Sequence, residues 1–447
     1  MIYLIPALIS FALGLLIVKA ATKGRLPSTL LSFFLSATIG LGASGLLTFI
    51  SFILFNQLIA WFVIILNLSL TAALAVFLHR QGRLNILPPI KTWKIDDTIA
   101  LALLGLITLG MFIFASLYPY GGWDAWGCWN FKARFLFLGE NAWTGMFDPI
   151  LWRHQILYPF LLPLIHVWFW SFGNTPTYAV PMAITCLIPF LTAGLLYSAL
   201  KELTVENSAH PTEWLQGKWY MILVPVWIFT NMFTIQLSAS QYSDLLLGLF
   251  LLTAMTLFLL FQRTKDTGHL ILMGLVLGMI SFTKVEGTAL CVLTFISTLA
   301  LVRTRACISL ITATALAVMP VIIFVIAYAP KNSGIFINGL TSPDHPTSWE
   351  RLSTIMTYYG HEWISMKWSG LWLILTAGLI FSGKRSLRRE LWIIPIVLGS
   401  YVLVFTGTYF INTFYEITWW LDTSLNRIIF ALIPVTALWT CLSIDDK

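Results

Sequence analysis

Charged and hydroxyl side chains stand beside long apolar runs at five places in the sequence, where such groups are costly and mark candidate functional sites. The first is GGWDAWGCWNFKARFL, residues 121–136, in which Asp124 is the only acid between Asp97 and Glu140. A carboxylate here could cap the first turn of an interfacial helix. It could equally act as a general base facing a cavity at the membrane surface, and the sequence leaves both interpretations open.

The same stretch carries three tryptophans and two basic residues. Trp123, Trp126 and Trp129 recur at every third position, so a helix would place them on one side, at the level of the lipid headgroups. Lys132 and Arg134 would then contact lipid phosphates or an anionic ligand. The spacing therefore predicts an interfacial helix.

Two further stretches offer partners for this acid. WRHQILYPFLLP contains Arg153, His154 and Tyr158, and its histidine could bond a phosphate, orient a carboxylate or be a structural residue. SASQYSDLLLGLF places Asp244 at the start of an apolar helix, where helix capping explains an acid well. Asp244 could equally share a metal ion or a hydroxyl with Asp124.

The last two stretches add cations. In SFTKVEGTAL, Lys284 and Glu286 can pair with each other, or they can bind a phosphate and position a neighbour. In WWLDTSLNRIIFALIP, Arg427 is expected to start the final helix, where its planar fork of donors and the helix N-terminus both favour phosphate. The alternative is a salt bridge from Arg427 to Asp422 or Glu416.

The composition predicts an all-α polytopic membrane protein, with about 13 transmembrane helices and with interfacial helices in the first large outer loop. Of the 447 residues 58% are hydrophobic and 10% charged, whereas soluble proteins carry roughly 25% charged residues. The five cysteines lack CxxC spacing, which indicates neither a metal cluster nor a disulfide framework. The predicted spans are 2–18, 28–50, 58–79, 98–118, 178–200, 218–237, 242–262, 268–283, 287–302, 307–328, 369–383, 391–410 and 428–443.

One further apolar piece, residues 156–172, is short and interrupted by prolines. If it does not cross, most of the 26 basic residues lie on one side of the membrane, whereas a crossing would largely cancel that bias. We therefore expect a surface or re-entrant element, with the N-terminus outside and the C-terminus cytoplasmic. The large outer loops are then 118–177 and 330–368.

These motifs, in their order and on their shared side, resemble the C-type superfamily of integral-membrane glycosyltransferases. The similarity is to bacterial members of the protein mannosyltransferase-like and lipid A aminoarabinose transferase-like branch. It covers about residues 98–443 and leaves the transmembrane helices of 1–97 outside it. It implies a polyprenyl-phosphate-linked sugar as donor, a lipid, glycan or protein as acceptor, no nucleic acid partner, and a place in the bacterial inner membrane.

The resemblance also implies roles for residues. Asp124 would be the catalytic base that activates the acceptor hydroxyl, while cations neutralise the departing phosphate. The single acid, in place of the paired acids of many members, leaves a divalent metal (Mg or Mn) open, and no cofactor is assigned. The phosphate contacts are Arg427, Lys284, Lys132, Arg134 and Arg153, the supporting residues are His154, Tyr158, Asp244, Glu286 and Asp422, and the acceptor-loop candidates are Tyr358, His361 and Glu362.

Two other functions stay open. An oligosaccharide ligase or polymerase also handles polyprenyl-linked sugars, but such proteins usually have a strongly basic outer loop, and residues 330–368 balance basic with acidic side chains. The sequence of a lipid or solute transporter would be expected to show inverted repeats or polar residues at the bilayer midplane. The charges in this sequence instead fall at the ends of the apolar runs.

Overall fold

The computed structural model describes residues 2–23, 25–84, 93–204, 218–302, 305–330 and 348–445. All regular secondary structure in these ranges is helical, which confirms the all-α polytopic class. Eight helices are long and apolar enough to cross a membrane, or up to 11 if each of three bent pairs is one span. Every predicted span falls on helices, but the count of thirteen stays a prediction, because Gly268–Thr283 and Val285–Leu301 are shorter apolar helices.

Nineteen α-helices lie within the described ranges, with several short turns of other helix types between them. The α-helices are α1 Leu4–Ala21, α2 Thr29–Phe55, α3 Ala60–Arg80, α4 Ile95–Leu117, α5 Asn130–Leu138, α6 Leu161–Gly173, α7 Ala179–Thr204, α8 Tyr220–Thr230, α9 Met232–Ala239, α10 Asp244–Thr264, α11 Gly268–Thr283, α12 Val285–Leu301, α13 Ala306–Ala317, α14 Met319–Ile323, α15 Trp349–Ile364, α16 Leu371–Ser382, α17 Ile393–Ile411, α18 Ile417–Phe430 and α19 Ile433–Ile444. The π-helical turns are Ala125–Trp129 and Phe324–Tyr328, and the 3-10 turns are Glu140–Phe147, Pro149–His154, Met366–Trp368, Gly383–Leu387 and Arg389–Leu391.

The N-terminal helices share one core with the rest of the chain. The Phe49 ring of α2 packs 5.3 Å from the Phe160 ring and 5.2 Å from the Phe282 ring of α11. Helices α1 and α2 touch backbone to backbone, because a Cβ atom on Gly14 would lie 1.9 Å from the Ser36 carbonyl oxygen. Small residues at such contacts are how membrane helices gain packing where the hydrophobic effect between them is weak.

The two ends of the helix bundle are distinct. Asp97, at the start of α4, pairs with Lys201, at the end of α7. At the other ends of the same two helices, the Tyr120 and Tyr178 rings lie 5.7 Å apart. Residues 118–177 therefore leave and re-enter the bundle at one face, as predicted from the basic residues. We call this the Asp124 face and the end that carries Asp97 the opposite face.

Helix α6 is the non-crossing apolar piece, and it does not lie on the molecular surface. Residues 161–171 are buried, and the Trp168 indole donates a hydrogen bond of 3.0 Å to Ser10 of α1. The surface alternative is therefore wrong, because a helix that is apolar on every side is more stable inside the bundle. Burial inside the bundle favours the re-entrant alternative, which stays a prediction.

Candidate functional site

Two glycines bring Asp124 against the loop before α10. Gly121 adopts a φ of 71°, which L side chains rarely adopt, and its Cβ would lie 2.7 Å from the Ser240 carbonyl oxygen. The Gly122 amide donates to that carbonyl at 3.0 Å, and a Cβ on Gly122 would lie 2.4 Å from the Tyr242 hydroxyl. Side chains at either position would separate the two loops, so the paired glycines place Asp124 beside Tyr242.

A π-helical turn, Ala125–Trp129, follows Asp124 and leads into α5. Such turns are frequent at functional sites because they shift the direction of the side chains that follow. Trp123 is 62% exposed and Trp126 is 48% exposed, whereas Trp129 is fully buried. The prediction that the three tryptophans share one side is therefore wrong, since the widened turn rotates Trp129 into the core.

Arg427 joins two carboxylates from distant parts of the chain. Its Nη1 lies 2.6 Å from Asp124 Oδ2, and its Nε lies 3.1 Å from Asp244 Oδ2. The face of the guanidinium stacks on the Tyr242 ring at 4.3 Å. Two edges and one face of the guanidinium are thus in contact with protein groups. Arginine can make all three contacts because its guanidinium is planar and has several donors, which a lysine ammonium does not offer.

The alternatives to this arrangement are not formed among the described residues. Asp124 makes no capping hydrogen bond to the helix that follows it. The ion pairs of Arg427 are with Asp124 and Asp244, and Asp422 is not among its partners in the described residues. Glu416 caps α18, where hydrogen bonds from Thr418 and Trp419 hold its pKa at about 2. The capping interpretation of Asp124 and both proposed salt bridges of Arg427 are therefore wrong.

Lys284 and Glu286 extend the contacts between Arg427 and its two carboxylates into the protein interior. Lys284 Nζ lies 2.9 Å from Asp244 Oδ1 and 3.0 Å from Glu286 Oε1, as the predicted Lys–Glu pairing requires. Its ammonium also lies 5.6 Å from the centre of the Tyr158 ring, whose hydroxyl donates to Glu286 at 3.3 Å. Burial lowers the pKa of Lys284, but the two carboxylates outweigh burial and raise it above the ordinary value.

We call Asp124, Asp244, Lys284, Glu286 and Arg427 the acid–base cluster. Three carboxylates face two cations, so the ionised cluster carries one surplus negative charge. Its members differ in access, because the Asp124 side chain is 22% exposed and the Asp244 side chain only 3%. Asp124 is therefore the end of the cluster that a ligand can reach.

A close helix contact sets the register of this cluster. A Cβ on Gly248 of α10 would lie 2.7 Å from the Ala431 carbonyl oxygen, directly after α18. Gly248 lies one helical turn after Asp244, and Ala431 one turn after Arg427, so the contact aligns these two side chains. Arg427 lies in the last turn of α18, and the final helix begins at Ile433. The prediction that Arg427 sits at a helix N-terminus is therefore wrong.

The other predicted phosphate contacts are placed apart from the cluster. Lys132 is fully buried, and its ammonium donates to the Gln155 carbonyl at 2.7 Å and to the Tyr158 carbonyl at 2.8 Å. This lysine does not reach a headgroup, and it ties the loop that carries Tyr158. Arg134 and Arg153 are exposed, and Arg153 lies over the Trp152 ring at 5.2 Å.

His154 has the structural role that was one of its interpretations. Its Nδ1 bonds the Gly127 carbonyl inside the π-helical turn, and its ring stacks on Phe131 at 4.4 Å. The acceptor-loop candidates Tyr358, His361 and Glu362 all lie on α15. Glu362 binds the Lys367 ammonium and accepts a hydrogen bond from the Trp368 indole, whereas His361 is exposed. Residues 331–347 of that loop lie outside the described residues.

Two residues of the site were assigned no role from the sequence. Tyr242 supplies the aromatic face under Arg427. Gln241 is buried, accepts from Asn130 at 2.8 Å and donates to the Pro119 carbonyl at 2.9 Å, so it fixes both sides of the Asp124 turn. Their position just before Asp244 could have marked them as candidate site residues, but only the fold shows which groups they contact.

Metal dependence stays a prediction. Asp124, Asp244 and Glu286 each face Arg427 or Lys284, so cationic side chains already offset the carboxylates that would bind a divalent metal. No group of three or more His, Cys, Asp or Glu residues suited to a metal ion occurs in the part of the chain that the structure describes.

Comparison with known proteins does not identify a family. No family model matches the chain, and it matches neither a curated protein nor a solved structure. The apolar helices make it a multi-pass membrane protein with a buried acid–base cluster at one end of its helix bundle.

Proposed function

We propose that this protein is a membrane glycosyltransferase that moves a sugar from a polyprenyl-phosphate donor to an acceptor hydroxyl. The Asp124 face would be the outer face of a bacterial inner membrane, where the lipid tail of the donor stays in the bilayer. The observation that carries the proposal is the ion pair between Asp124 and Arg427, which are about 300 residues apart in the sequence. It sets a candidate base beside a candidate phosphate ligand at the accessible end of the cluster.

The reaction needs one base and one cation. The acceptor oxygen attacks the anomeric carbon as Asp124 takes the hydroxyl proton. The bond between the anomeric carbon and the phosphate oxygen breaks, and its electron pair leaves with the phosphate. Arg427 stabilises the charge that grows on that oxygen. Because the lipid phosphate is already a stable leaving group, no second carboxylate is needed to protonate it, unlike in many glycosidases.

The remaining cluster residues hold this pair in place. Lys284 lies behind Asp244 and is 4% exposed, so its charge offsets Asp244 and Glu286 without contacting the donor. Tyr242 and Asp244 fix the plane of the guanidinium from two sides. Arg427 thereby keeps one orientation, which removes an ordering cost when the phosphate binds.

Replacing the proposed base tests this function. Asp124→Asn keeps the shape of the side chain and removes its ability to accept a proton, so we expect sugar transfer to fall by about 10²- to 10⁴-fold. The measurement is transfer from polyprenyl-phosphate sugars to membrane acceptors by purified protein in nanodiscs. Glu140→Gln, an exposed acid of the same loop, is the matched control and should keep full activity. Transfer by Asp124→Asn at the wild-type rate would refute the base assignment.

A further inference from the structure

The acid–base cluster has three carboxylates and two cations, one carboxylate more than charge balance requires. Asp244 accepts from both Lys284 and Arg427, and Glu286 accepts from Lys284, so these four charges balance without Asp124. Asp124 has Arg427 as its ion-pair partner among the described residues. It can therefore be exchanged for another anion while the buried part of the cluster stays neutral.

The contacts of Arg427 separate a fixed edge from an exchangeable edge. Its Nε edge is bound to Asp244, which is nearly buried, and its face is stacked on Tyr242. Its Nη1 edge is bound to Asp124, the most exposed carboxylate of the cluster. An anion arriving from the membrane surface meets the Nη1 edge first.

We propose that the phosphate of the donor lipid binds Arg427 at the position that Asp124 occupies, so that donor and base compete for one guanidinium edge. The ligand class is a phosphodiester with a single negative charge. This inference rests on the proposed function and adds to it the seat of the phosphate and an order of binding.

The exchange activates the base. While Asp124 Oδ2 is bound to the guanidinium it is not available to a hydroxyl, and the arriving phosphate releases this oxygen to accept the hydroxyl proton. Donor binding therefore turns Asp124 from a salt-bridge partner into a base, and the acceptor hydroxyl loses its proton only when a donor is in place. The proton passes from the acceptor to Asp124 and the electron pair leaves with the phosphate, so no further reactant is needed.

Binding of a methyl farnesyl phosphodiester to the full-length protein in nanodiscs tests the competition. Removing the charge of Asp124 leaves the Nη1 edge of Arg427 without its carboxylate, so Asp124→Asn should bind this diester about tenfold more tightly than wild type, equivalent to 1.4 kcal/mol. Asp124→Ala should change affinity in the same direction, which guards against misfolding of one variant. Asp124→Glu, which keeps the charge, should bind like wild type, and Arg427→Gln should not bind.

The outcomes separate this inference from the proposed function. Equal or weaker diester binding by both neutral variants, with wild-type melting temperatures, would overturn the competition and leave the base assignment standing. Tighter binding together with unchanged sugar transfer would keep the competition and refute the base. Failure of the wild type and of both neutral variants to bind the diester would overturn the phosphate site at Arg427 and, with it, the polyprenyl-phosphate donor of the proposed function.

Discussion

Lys132 shows how a charge at the residue scale can serve structure instead of ligand binding. Its ammonium is buried and donates to two carbonyls of the loop that presents Tyr158 to Glu286. Burial lowers its pKa from the ordinary 10.5 to about 8. Lys132 is thus a positioning residue that acts on the acid–base cluster through Tyr158.

This burial predicts a pH dependence of stability. The unfolded chain holds the Lys132 proton more tightly than the folded protein, so burying the ammonium costs free energy below pH 8. That cost falls as the pH rises from about 8 toward 10.5, the ordinary pKa that the lysine has in the unfolded chain. The contribution of Lys132 to the stability of the folded protein therefore increases over this interval. The difference in melting temperature, wild type minus Lys132→Met, should therefore increase over this interval. A difference that does not change with pH would contradict a buried ammonium.

Contacts between helices matter at the scale of elements, because the cluster is assembled from the ends of separate helices and loops. Asp124 precedes a π-helical turn, Lys284 joins α11 to α12, and Arg427 lies in the last turn of α18. No single helix holds the cluster, so its geometry depends on how closely α10 approaches α18.

Gly248→Ala tests this dependence. The added Cβ would lie 2.7 Å from the Ala431 carbonyl oxygen, a backbone atom that can move only with its helix. We expect α10 and α18 to separate, at a cost of about 1–3 kcal/mol in stability, and sugar transfer to fall with the Asp244–Arg427 contact. The matched control is Gly105→Ala, where nothing lies within 4 Å of the new Cβ. Equal melting temperatures and activities of the two variants would show that the contact does not set the register.

The distribution of charge matters at the scale of the whole molecule, because it separates the two ends of the bundle. The Lys201–Asp97 and Lys218–Asp445 pairs lie at the opposite face, and the acid–base cluster lies at the Asp124 face. If basic residues collect in the cytoplasm, the Asp124 face is the outer one.

Cysteine labelling checks this orientation. Arg153 and Lys384 are both exposed, the first on the Asp124 face and the second at the opposite face, where the Trp439 indole bonds the nearby Ser386 carbonyl. A membrane-impermeant maleimide should label Arg153→Cys in intact spheroplasts and Lys384→Cys only after permeabilisation. The unsubstituted protein gives the background, which should be low because four of its cysteines are buried. The reverse pattern would place the proposed base in the cytoplasm.

The sequence by itself determined the class of fold and the side on which the unusual residues gather. Composition and run length are enough for the class, because each membrane span must satisfy its own backbone hydrogen bonds as a helix. The balance of basic residues predicted that 156–172 does not cross, since one extra crossing would have reversed every later loop. The Lys284–Glu286 pair was predictable because the two residues are neighbours in the chain.

Only the tertiary structure decided which charges pair and which are buried. Arg427 binds Asp124 and Asp244, which are distant in the sequence, and not the nearer Asp422. Lys132 and Trp129 turn into the core although their types suit the membrane surface. Pairing between distant residues depends on helix register and on backbone approach at Gly121, Gly122 and Gly248, which are properties of the packed bundle. A local sequence pattern cannot predict these contacts, because the residues that meet are separated by large parts of the sequence.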